Sequence, residues 1–388
     1  MLGALFVLAC GCGRVGFDAM RTNVDGAVPV DGDAPAPGWT RIAAGDQTTC
    51  GIYLDRAYCW GRGTNNEIGD GGGVDRLTPI AVALPAGVVT AVAQGEGHGC
   101  AIVDGAAFCW GSAPPGNGLP ASALPVAVGG LPSPVTAIAA GGGFTCAIAS
   151  GTAFCWGSDS AGRLGNGGGG NATTPQPVVG LPQPAVDLDA ANDHAMALLA
   201  DGTVWAWGHN DSGALGTGSM TPAQTDTPVQ SLIMGTLPAL AGWHACALQA
   251  SAAVCWGLGT MGELGDDLSQ SSATPRAVSG LGNGVELIAT GGGPTDFDAS
   301  CAVVAGVTSC WGNGRYGRLG HGATSNSPVP VPVQGLPANT VELALGYGHS
   351  CARGGDGVVR CWGRGELGQL GDGRGVMDFV PVSIAPVP

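Results

Sequence analysis

The sequence of 388 residues contains no lysine, and charged residues make up only 11% of it. All 14 basic residues are arginine. The missing lysine excludes Schiff-base chemistry and a Walker A loop, which holds nucleotide phosphates with a lysine. The 29 acidic residues give a formal net charge of -15, which opposes the counterion-release binding of nucleic acid or of anionic lipid head groups. We therefore expect no nucleic-acid partner.

Glycine and proline are abundant, with 72 and 27 residues, and 45% of the chain is apolar. The glycines follow no Gly-X-Y register, so collagen is excluded, and the apolar content is too high for a disordered chain. Each glycine inside a helix costs about 1 kcal/mol relative to alanine, whereas turns need residues that accept positive φ. This composition predicts an all-β fold with many turns.

Residues 1–12 are expected to be a lipoprotein-type signal peptide. A short apolar run ends in small residues beside Cys10 and Cys12, and one of these cysteines would be acylated. The usual basic segment before the run is missing, and a buried strand is the alternative interpretation. Residues 13–38, rich in Asp, Gly and Pro, predict a flexible linker rather than a calcium site. The lipid anchor would be the only contact with a membrane.

Twelve of the 14 cysteines form six local pairs, five of them nine residues apart and one ten apart. Residues nine apart face each other across a hairpin with a two-residue turn, at Cα separations of about 4.5–5.5 Å that suit a disulfide. A seventh copy of the unit, residues 196–206, lacks both cysteines, which favours disulfides over independent thiols or zinc ligands. Disulfides indicate an oxidising compartment. The predicted pairs are Cys50 and Cys59, Cys100 and Cys109, Cys146 and Cys155, Cys246 and Cys255, Cys301 and Cys310, and Cys351 and Cys361.

The second cysteine of each pair, or the residue that replaces it, is followed by Trp-Gly. The chain is therefore a repeat protein. The seven tryptophans are spaced by 50, 46, 51, 49, 55 and 51 residues. Each unit has an apolar stretch, a hairpin that ends in Cys-Trp-Gly, a loop with Gly-x-Leu-Gly, and a valine-rich stretch after Thr-Pro or Ser-Pro. About four short strands per unit are the content of one propeller blade. The repeated tryptophans are Trp60, Trp110, Trp156, Trp207, Trp256, Trp311 and Trp362.

Two units depart from this pattern. The first has Asn66 where the others have glycine, and asparagine is the residue that best replaces glycine at positive φ. The second has a shortened loop, residues 111–119, without the Leu-Gly pair, so we expect a distorted rim there.

Cys-Trp-Gly followed by Gly-x-Leu-Gly, in seven copies over residues 39–388, resembles the regulator of chromosome condensation repeat family. The resemblance implies an all-β, seven-bladed β-propeller of four-stranded antiparallel blades. Terminal strands often complete a shared blade in such rings, so residues 380–384 are expected to pair near residues 39–43.

Candidate site residues are few. His98, His194, His244 and His349 share one repeat position, which favours a hydrogen-bonding role over a metal site. The repeated tryptophans are interpreted as core packing inside each blade, whereas Trp205 and Trp243 fall outside the repeat and are candidates for stacking on a ligand. The longest repeat interval contains Asp296, Phe297 and Asp298, an exposed aromatic between two acids, which we interpret as a candidate binding loop. Residues 218–230 are a second candidate, and either segment could equally be a neutral insertion. No catalytic residues, metal site or cofactor can be assigned.

These observations favour a non-enzymatic binding scaffold, exported to the cell envelope or secreted. We expect a monomer that presents propeller loops to a protein or an envelope polymer. The family name also raises guanine-nucleotide exchange on a GTPase, which an exported, disulfide-linked chain contradicts. A third hypothesis is a secreted inhibitor of the type formed by the propellers that inhibit β-lactamases. Hydrolysis of an envelope glycan is the least favoured function.

Overall fold

A computed structural model describes residues 38–293 and 298–387. The predicted signal peptide, the linker up to residue 37, and both Cys10 and Cys12 lie outside the described residues. The described chain forms 28 β-strands in seven four-stranded antiparallel sheets, together with two 3-10 turns. The all-β fold and the seven-bladed propeller are confirmed. None of its helical segments is long and apolar enough to cross a membrane.

Each blade is made from four consecutive strands. Blades 1 and 2 contain β1 (Trp39–Ala44), β2 (Thr48–Tyr53), β3 (Arg56–Gly61), β4 (Arg76–Ala81), β5 (Val89–Gln94), β6 (His98–Val103), β7 (Ala106–Gly111) and β8 (Ser122–Ala127). Blades 3 and 4 contain β9 (Val135–Ala140), β10 (Phe144–Ala149), β11 (Thr152–Gly157), β12 (Ala172–Pro177), β13 (Ala185–Ala190), β14 (His194–Leu199), β15 (Thr203–His209) and β16 (Gln224–Met234).

The remaining three blades follow the same order. Blades 5 and 6 contain β17 (Ala239–Leu240), β18 (His244–Gln249), β19 (Ala252–Gly257), β20 (Ser272–Ala277), β21 (Val285–Gly291), β22 (Ala299–Val304), β23 (Val307–Gly312) and β24 (Ser327–Pro332). Blade 7 contains β25 (Thr340–Leu345), β26 (His349–Gly354), β27 (Val359–Gly363) and β28 (Asp378–Ser383). The 3-10 turns are Ser160–Gly162 and Arg315–Gly317.

The terminal strands do not share a blade, so the expected pairing of residues 380–384 with residues 39–43 is wrong. β28 pairs with β27, and β1 pairs with β2. The ring closes by packing of blade 7 on blade 1 and by single hydrogen bonds, such as Trp39 N to Gly357 O at 3.0 Å. Burial of side chains between whole sheets therefore replaces a strand ladder as the means of closure.

All six predicted cysteine pairs form disulfides in the structure. In each pair the cysteines face each other in the ladder between the second and third strands, as Cys146 and Cys155 do. The Cα atoms of each pair lie 4.0–4.1 Å apart, closer than the spacing predicted. In the first hairpin, Leu54 and Asp55 both have positive φ, which is typical of a type I′ turn. Six cysteine pairs at disulfide distance indicate an oxidising compartment.

The hydrophobic core consists of seven clusters, each shared by two neighbouring blades. All seven repeated tryptophans are fully buried, so their predicted role in core packing is confirmed, and each also packs against the preceding blade. The glycine of Leu-Gly makes this contact possible. A Cβ atom on Gly165 would lie 2.8 Å from the Trp207 ring, and the φ of 62° at Gly165 also favours glycine.

Six of the seven indoles form a hydrogen bond between blades. Each donates its Nε1–H to a backbone carbonyl in the Gly-x-Leu-Gly loop of the preceding blade, at 2.7–3.0 Å. The exception is Trp156, which packs against the shortened loop of blade 2 and whose Nε1 has no partner among the described residues. Asn66 has a φ of 65°, as expected for a residue that replaces glycine. The predicted distortion of blade 2 therefore appears as one lost interblade contact.

Candidate functional site

One face of the propeller carries the variable loops, and we call it the loop face. The antiparallel order places the turn between the first and second strands of each blade on the same side as the long loop between its third and fourth strands. Neighbouring turns are joined by backbone hydrogen bonds, such as Glu96 N to Gly141 O at 3.1 Å and Tyr347 N to Asp46 O at 3.2 Å. The loop face is therefore a set of loops held on a rigid inner ring.

The predicted binding loop is only partly described. Asp296 and Phe297 lie outside the described residues. Asp298 is fully buried, and its role in binding stays a prediction. Its Oδ2 accepts a hydrogen bond from the backbone N–H of Trp243 at 2.8 Å and lies 3.1 Å from Nδ1 of His244. Asp298 therefore fastens the end of this segment to blade 5.

The two candidate tryptophans occupy different environments. Trp243 is half-buried in a turn of the loop face, and its ring meets the edge of the His209 ring at a centroid distance of 4.6 Å. Trp205 pairs with Ala197 in β15, as Phe154 pairs with Ala147 in blade 3. Trp205 therefore holds the aromatic position of the repeat, and the statement that it falls outside the repeat is wrong. The structure brings Trp243 and Asp298 together, and a binding role for Trp205 stays a prediction.

Three of the four repeated histidines connect neighbouring blades. The Nε2 atoms of His98, His244 and His349 lie 2.7–3.0 Å from the hydroxyl groups of Thr145, Ser300 and Thr49 respectively. Burial lowers the pKa of His98 to about 4 and that of His349 to about 3, so both rings are neutral. Over residues 38–293 and 298–387, no three His, Cys, Asp or Glu side chains are placed to hold a metal ion.

The fourth histidine lacks this contact. His194 faces blade 5, where Ala245 stands at the position of Thr145 and Ser300, and its Nε2 has no hydrogen-bond partner in the part of the chain that the structure describes. Burial lowers the pKa of His194 to about 3. These pairs were not predicted from the sequence. A signal for them exists, namely a unit with the repeated histidine followed by a unit with a serine or threonine directly before its first cysteine.

His244, Asp298 and Ser300 have the atoms of a Ser-His-Asp triad, which no spacing in the sequence indicated. All three side chains are fully buried, and the Ser300 hydroxyl also donates to the Glu263 carbonyl at 3.3 Å. A nucleophile needs access to a substrate. Since the same histidine–hydroxyl contact recurs at two other interfaces, we interpret it as a structural contact between blades.

Glu263 is the most perturbed carboxyl group of the loop face. Its Oε2 accepts the Met261 N–H at 2.8 Å, whereas its Oε1 has no partner among the described residues. Burial raises the pKa of Glu263 to about 7, and the charge of Asp298 adds to that increase. Gln369 holds the same position in blade 7, and its Oε1 accepts the Leu367 N–H at 3.0 Å. Blade 7 thus makes the same contact without a charge.

Charge is unevenly distributed over the loop face. Near the axis on blades 1–4, burial raises the pKa of Glu96, and so do the neighbouring carboxylates of Asp46 and Asp193. On blades 6 and 7 the Tyr316 ring contacts two guanidinium groups, those of Arg315 and Arg364, at 4.8 and 5.1 Å from its centroid. One sector of the face is therefore acidic, and the other presents arginine and tyrosine.

Comparison with solved structures shows the same fold. Prp20p from Saccharomyces cerevisiae, solved in a study of its binding to Gsp1p and histones, superposes with a TM-score of 0.72 over 90% of this chain and 88% of that chain, at 21% identity.

Two curated relatives are similar over about half of this chain. Human E3 ubiquitin-protein ligase HERC2 is 32% identical over 222 residues, which are 55% of this chain and 5% of the ligase. The ultraviolet-B receptor UVR8 of Arabidopsis thaliana is 28% identical over 229 residues, 58% of this chain and 51% of the receptor. The chain thus spans a small part of the first relative and about half of the second.

The family models match the repeats directly. The regulator of chromosome condensation (RCC1) repeat matches residues 55–102, 150–198, 201–240 and 310–353. A second model of the same repeat matches residues 186–214 and 341–369, and together they cover about half of the chain. With seven blades built on one repeated motif, the chain belongs to the regulator of chromosome condensation repeat family.

Proposed function

We propose that this protein is a non-enzymatic binding scaffold, exported to the cell envelope or secreted, whose loop face presents variable loops to a protein or an envelope polymer. The observation that carries the proposal is the contrast between a constant frame and variable loops. Disulfides, buried tryptophans and backbone-linked turns fix the frame, whereas the shortened loop of blade 2 lies on the loop face and the repeat interval that contains Gly291 is the longest. Binding residues are commonly placed on loops held by such a scaffold.

The chemistry of the face supports binding rather than catalysis. The histidine–aspartate–serine arrangement is sealed from solvent, and its hydroxyl group is already engaged on two sides. A half-buried Trp243 and the Arg315–Tyr316–Arg364 group are side chains of the types enriched in protein interfaces. The similar Prp20p binds proteins, namely Gsp1p and histones. Together these features favour a protein partner over a nucleic acid, which the net charge of -15 opposes.

Site-specific photo-crosslinking tests this proposal. A photoreactive amino acid replaces Trp243 on the loop face, and in the matched control it replaces Val307, the 48% exposed first residue of β23, near the opposite face. Both variants are exposed to an envelope fraction and irradiated. We expect one abundant adduct from position 243 and none of that mass from position 307. Two outcomes would reject the loop face as the binding surface. One is equal adducts from both positions, and the other is no adduct from position 243 and none from a second loop-face position, Tyr316.

Two further assays address the rival functions. Release of labelled guanine nucleotide from a purified GTPase, and the rate of a purified β-lactamase, are measured with and without the protein. We expect neither rate to change. A saturable change in either rate that is lost in the Trp243 variant would replace the scaffold function by exchange or inhibition.

A further inference from the structure

The shortened loop of blade 2 leaves a cleft on the loop face. Ten residues separate β7 from β8, whereas fourteen separate the third and fourth strands in every other blade. A cavity of about 260 Å³ lies beside this loop, between blades 2 and 3. We call this cavity the blade 2–3 cleft.

The walls of the cleft come from both blades. Blade 2 contributes Glu96 and the segment 112–114, and blade 3 contributes Gly143, Ser158 and the segment 171–173. The hydroxyl groups of Ser158 and Thr173 have no hydrogen-bond partner within the described chain, while Ser112 donates to Gly97 O at 3.0 Å. The cleft thus has a mostly apolar lining, with these hydroxyl groups and one formal charge, the carboxylate of Glu96.

Glu96 is a carboxylate without an ion pair. Its side chain reaches solvent, it lines both the cleft and the hollow at the propeller axis, and no arginine forms an ion pair with it among the described residues. Partial burial raises the pKa of Glu96 most, and the charges of Asp46 and Asp193 add to the increase, while the more distant charges of Arg163 and Arg62 oppose it. Arg163 is already paired with Asp193. A cation placed in the cleft would relieve this repulsion.

A second, independent observation marks the same interface as incomplete. Trp156 is fully buried, and its Nε1–H has no acceptor, whereas the other six repeated tryptophans each have a carbonyl acceptor in the preceding blade. The missing carbonyl belongs to the loop that forms one wall of the cleft, since Gly116 of that loop packs against the Trp156 ring. A buried donor without a partner is destabilising, so this wall lacks a contact that the rest of the ring has.

We propose that the blade 2–3 cleft binds a basic side chain, an arginine or a lysine, of the partner protein, with Glu96 as the anion that pairs with it. The inference deepens the proposed function, because it names the chemistry that the loop face recognises. A guanidinium or ammonium group would pair with the carboxylate of Glu96 and donate to the free hydroxyl groups of Ser158 and Thr173.

The first test uses small probes rather than the unknown partner. N-acetyl-arginine N-methylamide and its lysine counterpart are titrated into the full chain, followed by amide NMR, with the citrulline analogue as the neutral isostere of arginine. We expect shifts at Gly143, Gly157 and Thr173 with a cationic probe, and none with citrulline. The relative affinities of the arginine and lysine probes identify which side chain the cleft prefers. Equal shifts with citrulline, or shifts spread evenly over the acidic surface, would overturn the proposal.

Two variants with the same charge change separate a specific site from general attraction. Glu96→Gln removes the carboxylate of the cleft, and Glu286→Gln removes an exposed carboxylate near the opposite face. We expect Glu96→Gln to weaken probe binding about tenfold, which equals 1.4 kcal/mol, and Glu286→Gln to leave it unchanged. An equal loss in both variants would assign binding to the net charge and reject the cleft.

A loop exchange tests the geometry itself. Residues 112–121 are replaced by the fourteen residues 158–171 of blade 3, which restores Gly-x-Leu-Gly and supplies an acceptor for Trp156. We expect a higher Tm and loss of probe binding. Probe binding that survives with a raised Tm would refute the cleft. If crosslinking at position 243 persists while no probe binds the wild type, the scaffold function stands and only the cleft fails.

Discussion

The interface between blades 5 and 6 and the interface between blades 2 and 3 are built from the same repeat, yet only the first has both the indole contact and the histidine contact. Between blades 5 and 6, Trp311 donates to the Glu263 carbonyl at 2.9 Å and His244 contacts Ser300 at 2.7 Å. Between blades 2 and 3 the histidine contact is kept, with His98 and Thr145 at 3.0 Å, whereas the indole contact is lost.

A third interface shows the opposite loss. Between blades 4 and 5 the Trp256 indole donates to the Ala214 carbonyl at 2.9 Å, but His194 faces an alanine and has no partner among the described residues. The two kinds of contact are therefore independent, because each can be absent while the other remains. Apolar burial between sheets is common to all three interfaces and holds them together.

The largest effect is expected where an indole contact is removed from a complete interface. Trp110→Phe removes part of the buried indole and leaves the Glu67 carbonyl without its donor, which lies 2.7 Å away. We expect the free energy of unfolding to fall by about 3 kcal/mol, from the cavity and the unpaired carbonyl together. Trp156→Phe deletes the same ring atoms but no hydrogen bond, and the expected loss is about 1–2 kcal/mol. Urea denaturation measures both. Equal losses would mean that the interblade hydrogen bond contributes nothing. Trp110 is preferred to Trp311 because Ser300 also bonds to the Glu263 carbonyl.

A second prediction concerns the buried carboxyl group between blades 5 and 6. The folded pKa of Glu263 is about 7, against an ordinary value of 4.5. Below pH 4.5 both the folded and unfolded states hold the proton. Between pH 4.5 and 7 the unfolded chain releases it first, so stability falls as pH rises, by at most about 3 kcal/mol.

Glu263→Gln removes this titration and keeps the contact that Gln369 makes in blade 7. We expect the variant to be more stable than the wild type at pH 7.5 and equal to it at pH 4, by denaturant unfolding at both values. Gln369→Glu is the matched reverse change and should introduce a similar decline with pH. A constant difference between Glu263→Gln and the wild type across this range would contradict the raised pKa.

The sequence predicted the features that repeat locally, and the structure added those that join distant parts of the chain. The hairpin disulfides, the positive φ of Asn66 and the irregular loop of blade 2 follow from residues close together in sequence. The contact of His98 with Thr145 joins residues 47 positions apart, so its signal shows only when consecutive repeats are compared. The sequence places Asp298 in a candidate loop, and only the position of blade 5 shows that it is buried. Closure by sheet packing was missed for the same reason.

A third prediction restores the disulfide that blade 4 lacks. Met196 and Ala206 face each other in the ladder at the register of Cys146 and Cys155. The double change Met196→Cys and Ala206→Cys lets a disulfide close a short loop. In the chain-entropy model this bond stabilises the fold by about 2–3 kcal/mol, and the loss of the packed methionine side chain offsets part of that gain. We expect a net gain of about 1–2 kcal/mol in non-reducing unfolding. The same protein under reducing conditions is an unsuitable control, because the other bridges would open too. Each single cysteine variant is used instead, and a double variant no more stable than both would contradict the geometry.

The smallest effect is expected from completing the interface between blades 4 and 5. Ala245→Ser places a hydroxyl where Thr145 and Ser300 contact the histidines of their neighbouring blades, and it would satisfy the buried Nε2 of His194. A hydrogen bond of this kind contributes about 1 kcal/mol. Ser300→Ala is the reverse change and should cost about 1–3 kcal/mol, because it leaves a buried nitrogen unpaired. The Ala245→Ser, His194→Phe double variant separates the hydrogen bond from the added volume, since Phe144 already faces the alanine Ala195 at the neighbouring interface. If Ala245→Ser raises the free energy of unfolding even without His194, the serine acts by filling space. The missing hydrogen bond would then have no effect on the stability of the propeller.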